Sequence, residues 1–126
     1  MAAGETPFAA ILRQAIEQLP GAVGGTLAAG DGETVDFHVC GGWRRADWEL
    51  LTAHHGVLLG QVRSWLHTRH YGDPELLVVS HRELHVLLRE VADGYFALIA
   101  IDDAAEIVSA TRLLEEAAVQ LKQEMA

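Results

Sequence analysis

The run Tyr95 to Ile101, YFALIAI, constrains this chain more than any other stretch. Its odd positions Tyr95, Ala97, Ile99 and Ile101 and its even positions Phe96, Leu98 and Ala100 are nearly all apolar, so a strand built from it has no face made for water. Such a strand belongs in the middle of a sheet with helices on both sides. It is the last of three consecutive strands between Glu75 and Ile101, separated by the turns Ser80-His81-Arg82-Glu83 and Asp93-Gly94. The second turn is the sharper signal, because glycine accepts the positive φ that a two-residue hairpin needs. From Leu84 to Arg89, Leu84, Val86 and Leu88 share one face and His85, Leu87 and Arg89 the other, so this strand is expected beside the central one.

The chain supplies three helices to cover the sheet. Thr6 is placed to cap the first and Pro7 to stand at its first position. Phe8, Ile11, Leu12, Ala15, Ile16 and Leu19 follow at spacings of three and four, and Pro20-Gly21 ends the run. Ala22 to Ala29 and Thr34 to Val39 read as a hairpin around Gly30-Asp31-Gly32, the second strand alternating Val35, Phe37 and Val39 with polar residues over one wet face. Gly24-Gly25 would weaken the first strand unless a helix packs closely over it.

Asp47 reads as the N-cap of a second helix, Trp48 to about His67, with Trp48, Leu51, His55, Leu58, Leu59, Val62, Trp65 and Leu66 on its main apolar face and Leu50 and Val57 extending it. Ala53, Gly56, Gly60 and Ser64 form a small-residue face opposite, suited to a close neighbour. Asp102 or Asp103 caps the last helix. Its stripe is Ile107, Ala110, Thr111, Leu114, Ala117, Ala118, Leu121 and Met125. The expected order is helix-strand-strand-helix-strand-strand-strand-helix in a single domain over 1–126, with a loose start at 1–6.

Composition narrows the function. A formal charge of -9 with a single lysine offers no basic patch for nucleic acid or an anionic membrane, and no apolar run is long enough to span a bilayer. The lone Cys40 makes no internal disulfide, so a reducing cytoplasm is the expected compartment. The glycines lack the lysine and hydroxyl of a phosphate loop.

Seven histidines make metal the first chemistry to test. His54 and His55 point about 100° apart on a helix, His67 and His70 share a face only if the helix runs through both, and His81 and His85 flank a turn. None has the spacing of a known metal site, and no metal or other cofactor is expected. His38-Val39-Cys40 lacks an oxyanion hole and a third member, so a buried or incidental thiol is expected there. Asp102-Asp103 is explained by capping. No catalytic residue is assigned.

Taken together, the helix ending Leu19-Pro20-Gly21-Ala22-Val23, the turn Gly30-Asp31-Gly32, the second helix, the meander with Asp93-Gly94, and a closing helix containing Ser109-Ala110-Thr111-Arg112-Leu113-Leu114 resemble the roadblock family. That family is named for a dynein light chain and includes bacterial regulators of small Ras-like GTPases. The resemblance covers about Phe8 to Leu121 and rests mainly on element order. It implies a profilin-like α+β fold: a five-stranded antiparallel sheet with the middle helix on one face and the terminal helices on the other.

It also implies a non-catalytic homodimer that regulates or scaffolds a small Ras-like GTPase. The excess apolar arc of the second helix and the edge position of the strand Leu76 to Ser80 point to the same dimer, with Leu50, His54, Val57, Leu58, Gln61, Leu76, Val78 and Ser80 at its interface. Arg44, Arg45 and Arg69 lie where an arginine acting in trans could sit, although loop arginines are usually solvated. A ligand-binding domain or enzyme with its pocket near the loop 68–74 is the alternative, in which His70 or Cys40 would matter.

Overall fold

The computed structural model describes residues 4–66 and 71–126 in full and 67–68 in the backbone. Helix α1 (Pro7–Glu17) is followed by strands β1 (Ala22–Ala29) and β2 (Thr34–Val39), helix α2 (Arg45–Thr68), strands β3 (Leu77–Ser80), β4 (His85–Ala92) and β5 (Tyr95–Ile101), a 3-10 turn (Ala104–Glu106) and helix α3 (Ile107–Met125). The five strands form one antiparallel sheet in the order β2-β1-β5-β4-β3. The α+β architecture expected from the sequence is thus present, and β5 is its central strand.

Alternation along β5 divides the interior into two layers. Ala97, Ile99 and Ile101 join Leu12, Ile16, Leu27, Leu87, Leu114 and Leu121 beneath α1 and α3. Phe96, Leu98 and Ala100 join Ala28, Trp48, Leu59, Val86 and Leu88 beneath α2. The first layer is the larger, because α1 and α3 both lie on it. On the second, α2 contributes only Trp48 and Leu59 to the buried apolar cluster.

The first glycine of the pair in β1 is explained by this arrangement. A Cβ on Gly24 would press on the Trp48 ring from α2, and one on Gly25 would meet Ile16 and Leu12 of α1 on the other face. Two helices therefore approach adjacent residues of one strand from opposite sides. Trp48 is fixed further by its indole N–H, which donates to the Thr26 hydroxyl at 2.6 Å, and that hydroxyl lies 3.2 Å from the one on Thr52. All three residues are fully buried, so the hydrogen bonds satisfy polar atoms that water cannot reach.

Helix ends and turns follow the expected chemistry except at the starts of α2 and α3, the latter standing behind Glu106 with no side-chain cap. Thr6 caps α1 by accepting from the Ala9 N–H, and its hydroxyl donates to the Asp36 carboxylate on β2. Glu5 pairs with Arg13, so the chain is tied down from that residue on. Gly94 turns β4 into β5 at φ +82, and Asp103 caps the 3-10 turn that leads into α3.

At α2, Asp47 lies inside the first turn and does not cap the helix. The helix begins at Arg45, which pairs with Glu49 one turn on, and the Asp47 carboxylate in the first turn suits the positive pole of the helix. Nor is β2 fully wet on its polar face, since the N-terminus of α1 reaches over it to Asp36.

Candidate functional site

Helix α2 is 24 residues long, about 36 Å at 1.5 Å per residue, and outruns the short strands beneath it. Its buried face consists of Trp48, Thr52, His55, Gly56 and Leu59. The sequence stripe places Leu58 and Trp65 on that face, but they are 39% and 57% exposed, as are Leu50 at 55% and Val57 at 54%. At 100° per residue, Leu50, His54, Val57, Leu58, Gln61 and Trp65 fall within an arc of about 100° turned away from the buried face. One long helix thus carries two apolar stripes and one sheet to cover them.

The small-residue face meets a close neighbour over its first half. A Cβ on Gly56 would lie 2.9 Å from Gly32 Cα and 3.0 Å from the Phe96 ring, and one on Gly32 would meet the backbone of Ala53 at 2.9 Å. Ala53 and Gly56 are therefore occupied by the β1–β2 turn and β5 of the same chain. Gly60 has no such neighbour among the described residues, and Ser64 is exposed.

Strand β3 is hydrogen-bonded to β4 and is the end strand of the sheet. Its outer edge leaves alternate backbone N–H and C=O groups free for another strand. The expected interface residues on β3 point away from α2: Leu76 packs with the α1/α3 layer, whereas Leu77 packs with the α2 layer. Val78 shares the side of Leu76 by alternation and is 38% exposed, and the Ser80 hydroxyl is 2.9 Å from Nδ1 of His85. The structure therefore separates the side chains of that set onto two faces, and only backbone pairing along β3 could join them to the exposed stripe of α2.

Between α2 and the β3–β4 turn lies a groove of about 800 Å³, walled by Trp43, Leu50, Leu51 and Leu84 and edged by Asp47, His54, Arg82 and Glu83. At its floor His55, only 6% exposed, has Nδ1 2.8 Å from the Leu51 carbonyl oxygen and Nε2 3.0 Å from Nε2 of His81. Burial pushes the His55 imidazole below its ordinary pKa, the Leu51 carbonyl opposes that, and His81 and His54 add to the lowering. Sequence spacing pairs His54 with His55 and His81 with His85, but the fold pairs His55 with His81 across 26 positions. The one sequence hint is an imidazole on the apolar stripe of a helix.

The other candidate chemistry stays dispersed. Cys40 is exposed, and among the described residues no group of three or more His, Cys, Asp or Glu is arranged to hold a metal ion. Arg45 lies in α2 over the Phe37 ring, and Arg44 is near Asp47 at 3.8 Å. Arg69 and His70 lie outside the described residues. A smaller cleft of about 370 Å³ adjoins the end of the 68–74 loop, lined by Asp73, Glu75, Arg89, Glu90, Asp93 and Lys122 among others. No described helix is long and apolar enough to cross a membrane.

No protein-family model and no curated protein matches the sequence. Solved structures do. The gliding protein MglB from Thermus thermophilus aligns over 100% of this chain and 95% of its own with a TM-score of 0.84 at 12% identity. A Roadblock/LC7 domain from Streptomyces avermitilis aligns over 91% and 94% with a TM-score of 0.78 at 15% identity. This chain has the roadblock fold. MglC from Myxococcus xanthus, at 21% identity, aligns over 94% and 99% with a TM-score of 0.68. Within the roadblock fold of this chain, the groove and the exposed α2 stripe lie on the α2 face of the sheet, and β3 forms the sheet edge.

Proposed function

We propose that this chain is a non-catalytic roadblock-type protein of the cytoplasm that forms a homodimer through α2 and β3 and regulates or scaffolds a small Ras-like GTPase. The observation that supports this reading is the second apolar stripe of α2, exposed beside a sheet edge. Monomeric proteins rarely leave a contiguous apolar surface of that kind uncovered. Pairing of β3 with its copy would continue the sheet across a two-fold axis and bring the two α2 helices side by side. One solved structure of the same fold is of MglB with tetrameric arrangement, so that protein self-associates.

The GTPase comes from the family resemblance. It fits an acidic chain with apolar surface to spare and no coherent catalytic constellation among the described residues. Such a dimer acts by preferring one conformation of the GTPase switch regions, and shifts the equilibrium only by the difference in its affinity for the two states. Capture from the native cell, followed by binding measurements with the captured GTPase in its GDP and GTP-analogue forms, tests the reading. Binding of one form more tightly than the other is expected. Binding of neither form below about 100 μM, roughly -5.5 kcal/mol, would leave only a homodimeric scaffold.

A further inference from the structure

We propose that His55 and His81 form a two-imidazole site for a divalent transition-metal ion of the copper, nickel and zinc group, in the groove between α2 and the β3–β4 turn. A backbone carbonyl only accepts, so the 2.8 Å contact from His55 Nδ1 to Leu51 places the proton on Nδ1. The neutral ring then has its lone pair on Nε2, and that atom faces Nε2 of His81 at 3.0 Å. An Nδ1–H held by a backbone carbonyl is the outer-shell bond by which metal-ligating histidines are usually oriented.

The spacing suits one ion. Two Zn–N bonds of about 2.0–2.1 Å at a tetrahedral angle hold their nitrogens roughly 3.3–3.4 Å apart, a few tenths of an ångström from the observed separation. His81 is exposed on a turn and can supply that shift, whereas His55 is set rigidly in the helix. The rings stand 83° apart, so they do not collide as they converge on a common point. In the metal-free chain His81 donates its Nε2–H to His55. Metal entry moves that proton to Nδ1 of His81 by exchange with solvent, with no net proton released, and two neutral imidazoles remain as ligands.

Two protein ligands define the character of the site. No third donor among the described residues completes it, so the other coordination positions open into the groove and are filled by water or by a donor from a docked macromolecule. Binding is therefore exchangeable and not structural. Imidazole nitrogen selects copper, nickel and zinc over magnesium and calcium. Asp47 and Glu83 at the groove's edge favour a cation there, and Arg82 opposes it.

The test uses the untagged full chain, freed of metal by a chelator and dialysed, and titrated with zinc chloride by calorimetry while imidazole nitrogen resonances are followed by NMR. One saturating ion per chain is expected, with the largest shifts at Nε2 of His55 and His81 and no response to magnesium. His81→Ala should weaken zinc binding by more than about tenfold, since loss of even an outer-shell partner costs on the order of 10–100-fold. His85→Ala, which removes the imidazole next along the strand, should leave binding unchanged. His81→Ala changes an exposed turn residue, and an unaltered circular dichroism spectrum separates loss of a ligand from loss of fold. Absence of saturable binding at about 1 mM zinc, or binding that His81→Ala does not weaken, would overturn the site.

Discussion

Trp48 stands directly on Gly24: a Cβ at that glycine would lie 2.9 Å from Cη2 of the indole, 2.7 Å from Cγ1 of Val39 and 2.9 Å from the His38 carbonyl oxygen. Two of those neighbours are a fully buried ring and a backbone atom, and neither can move aside cheaply. Gly24→Ala should therefore destabilise the fold by about 1–3 kcal/mol, the usual cost of overpacking a dense core. Gly25→Ala meets Ile16 and Leu12 at 3.5 Å, an ordinary contact, and should be close to neutral. Urea denaturation of the two variants compares adjacent glycines of one strand, and equal midpoints would show that α2 does not seat on β1 in this way.

The Thr26 hydroxyl is the hub of the buried bonds that anchor α2. Thr26→Val keeps the shape but leaves the Trp48 indole N–H without its acceptor, at a cost of about 1–3 kcal/mol. Thr52→Val removes only the outer partner of the hub and should cost less. If the Thr52 variant proved the less stable of the two in thermal unfolding, the order of this network would be wrong.

Most of the fold was legible in the sequence, because residue pattern and environment agree there. The two-sided apolarity of Tyr95–Ile101 places β5 at the centre of the sheet, and Gly24 is accounted for by the close approach of α2. What was not legible depends on how long elements overlap. The buried face of α2 could not be read from its stripe, because only part of a 24-residue helix rests on the sheet and the remaining apolar residues face outward. Asp47 suits either a cap or a first turn, and sequence chemistry alone does not choose between them. The contact of His55 with His81 is a tertiary one made by a turn crossing to a helix, and no local spacing reveals it.

The burial of His55 also makes stability pH-dependent in metal-free protein. Burial lowers the pKa of folded His55, so the unfolded chain binds more protons as pH falls below the ordinary imidazole value of 6.5. The contribution of His55 is complete above that value and is lost as pH falls toward its folded pKa. The groups around it are His54 on its own helix, Asp47 at the groove's edge, and His81, Arg82 and Glu83 in the facing turn. With chelator present, His55→Gln should be less stable than the parent at pH 8 and should lose less stability on acidification to pH 5. Parallel stability profiles for the two proteins would exclude the proton linkage.

The dimer is tested most directly on the outward stripe of α2. Leu58 and Val57 are 39% and 54% exposed and hold no place in either buried cluster, so a charge at these positions leaves the monomer's core intact. In a dimer formed across α2 and β3, the same charge would be stripped of water beside apolar side chains with no partner to meet it. Leu58→Asp and Val57→Asp should each weaken association by at least about 2 kcal/mol, the scale of an interface hot spot, with little change in monomer stability. Val108→Asp supplies the control, since Val108 is 82% exposed on α3, on the opposite side of the sheet. Light scattering after gel filtration should give about twice the 13.7 kDa chain mass for the parent and the Val108 variant, and about the single mass for the α2 variants. A parent chain that is monomeric at tens of micromolar would overturn the dimer, and α2 variants that remain dimeric would place its interface away from this stripe.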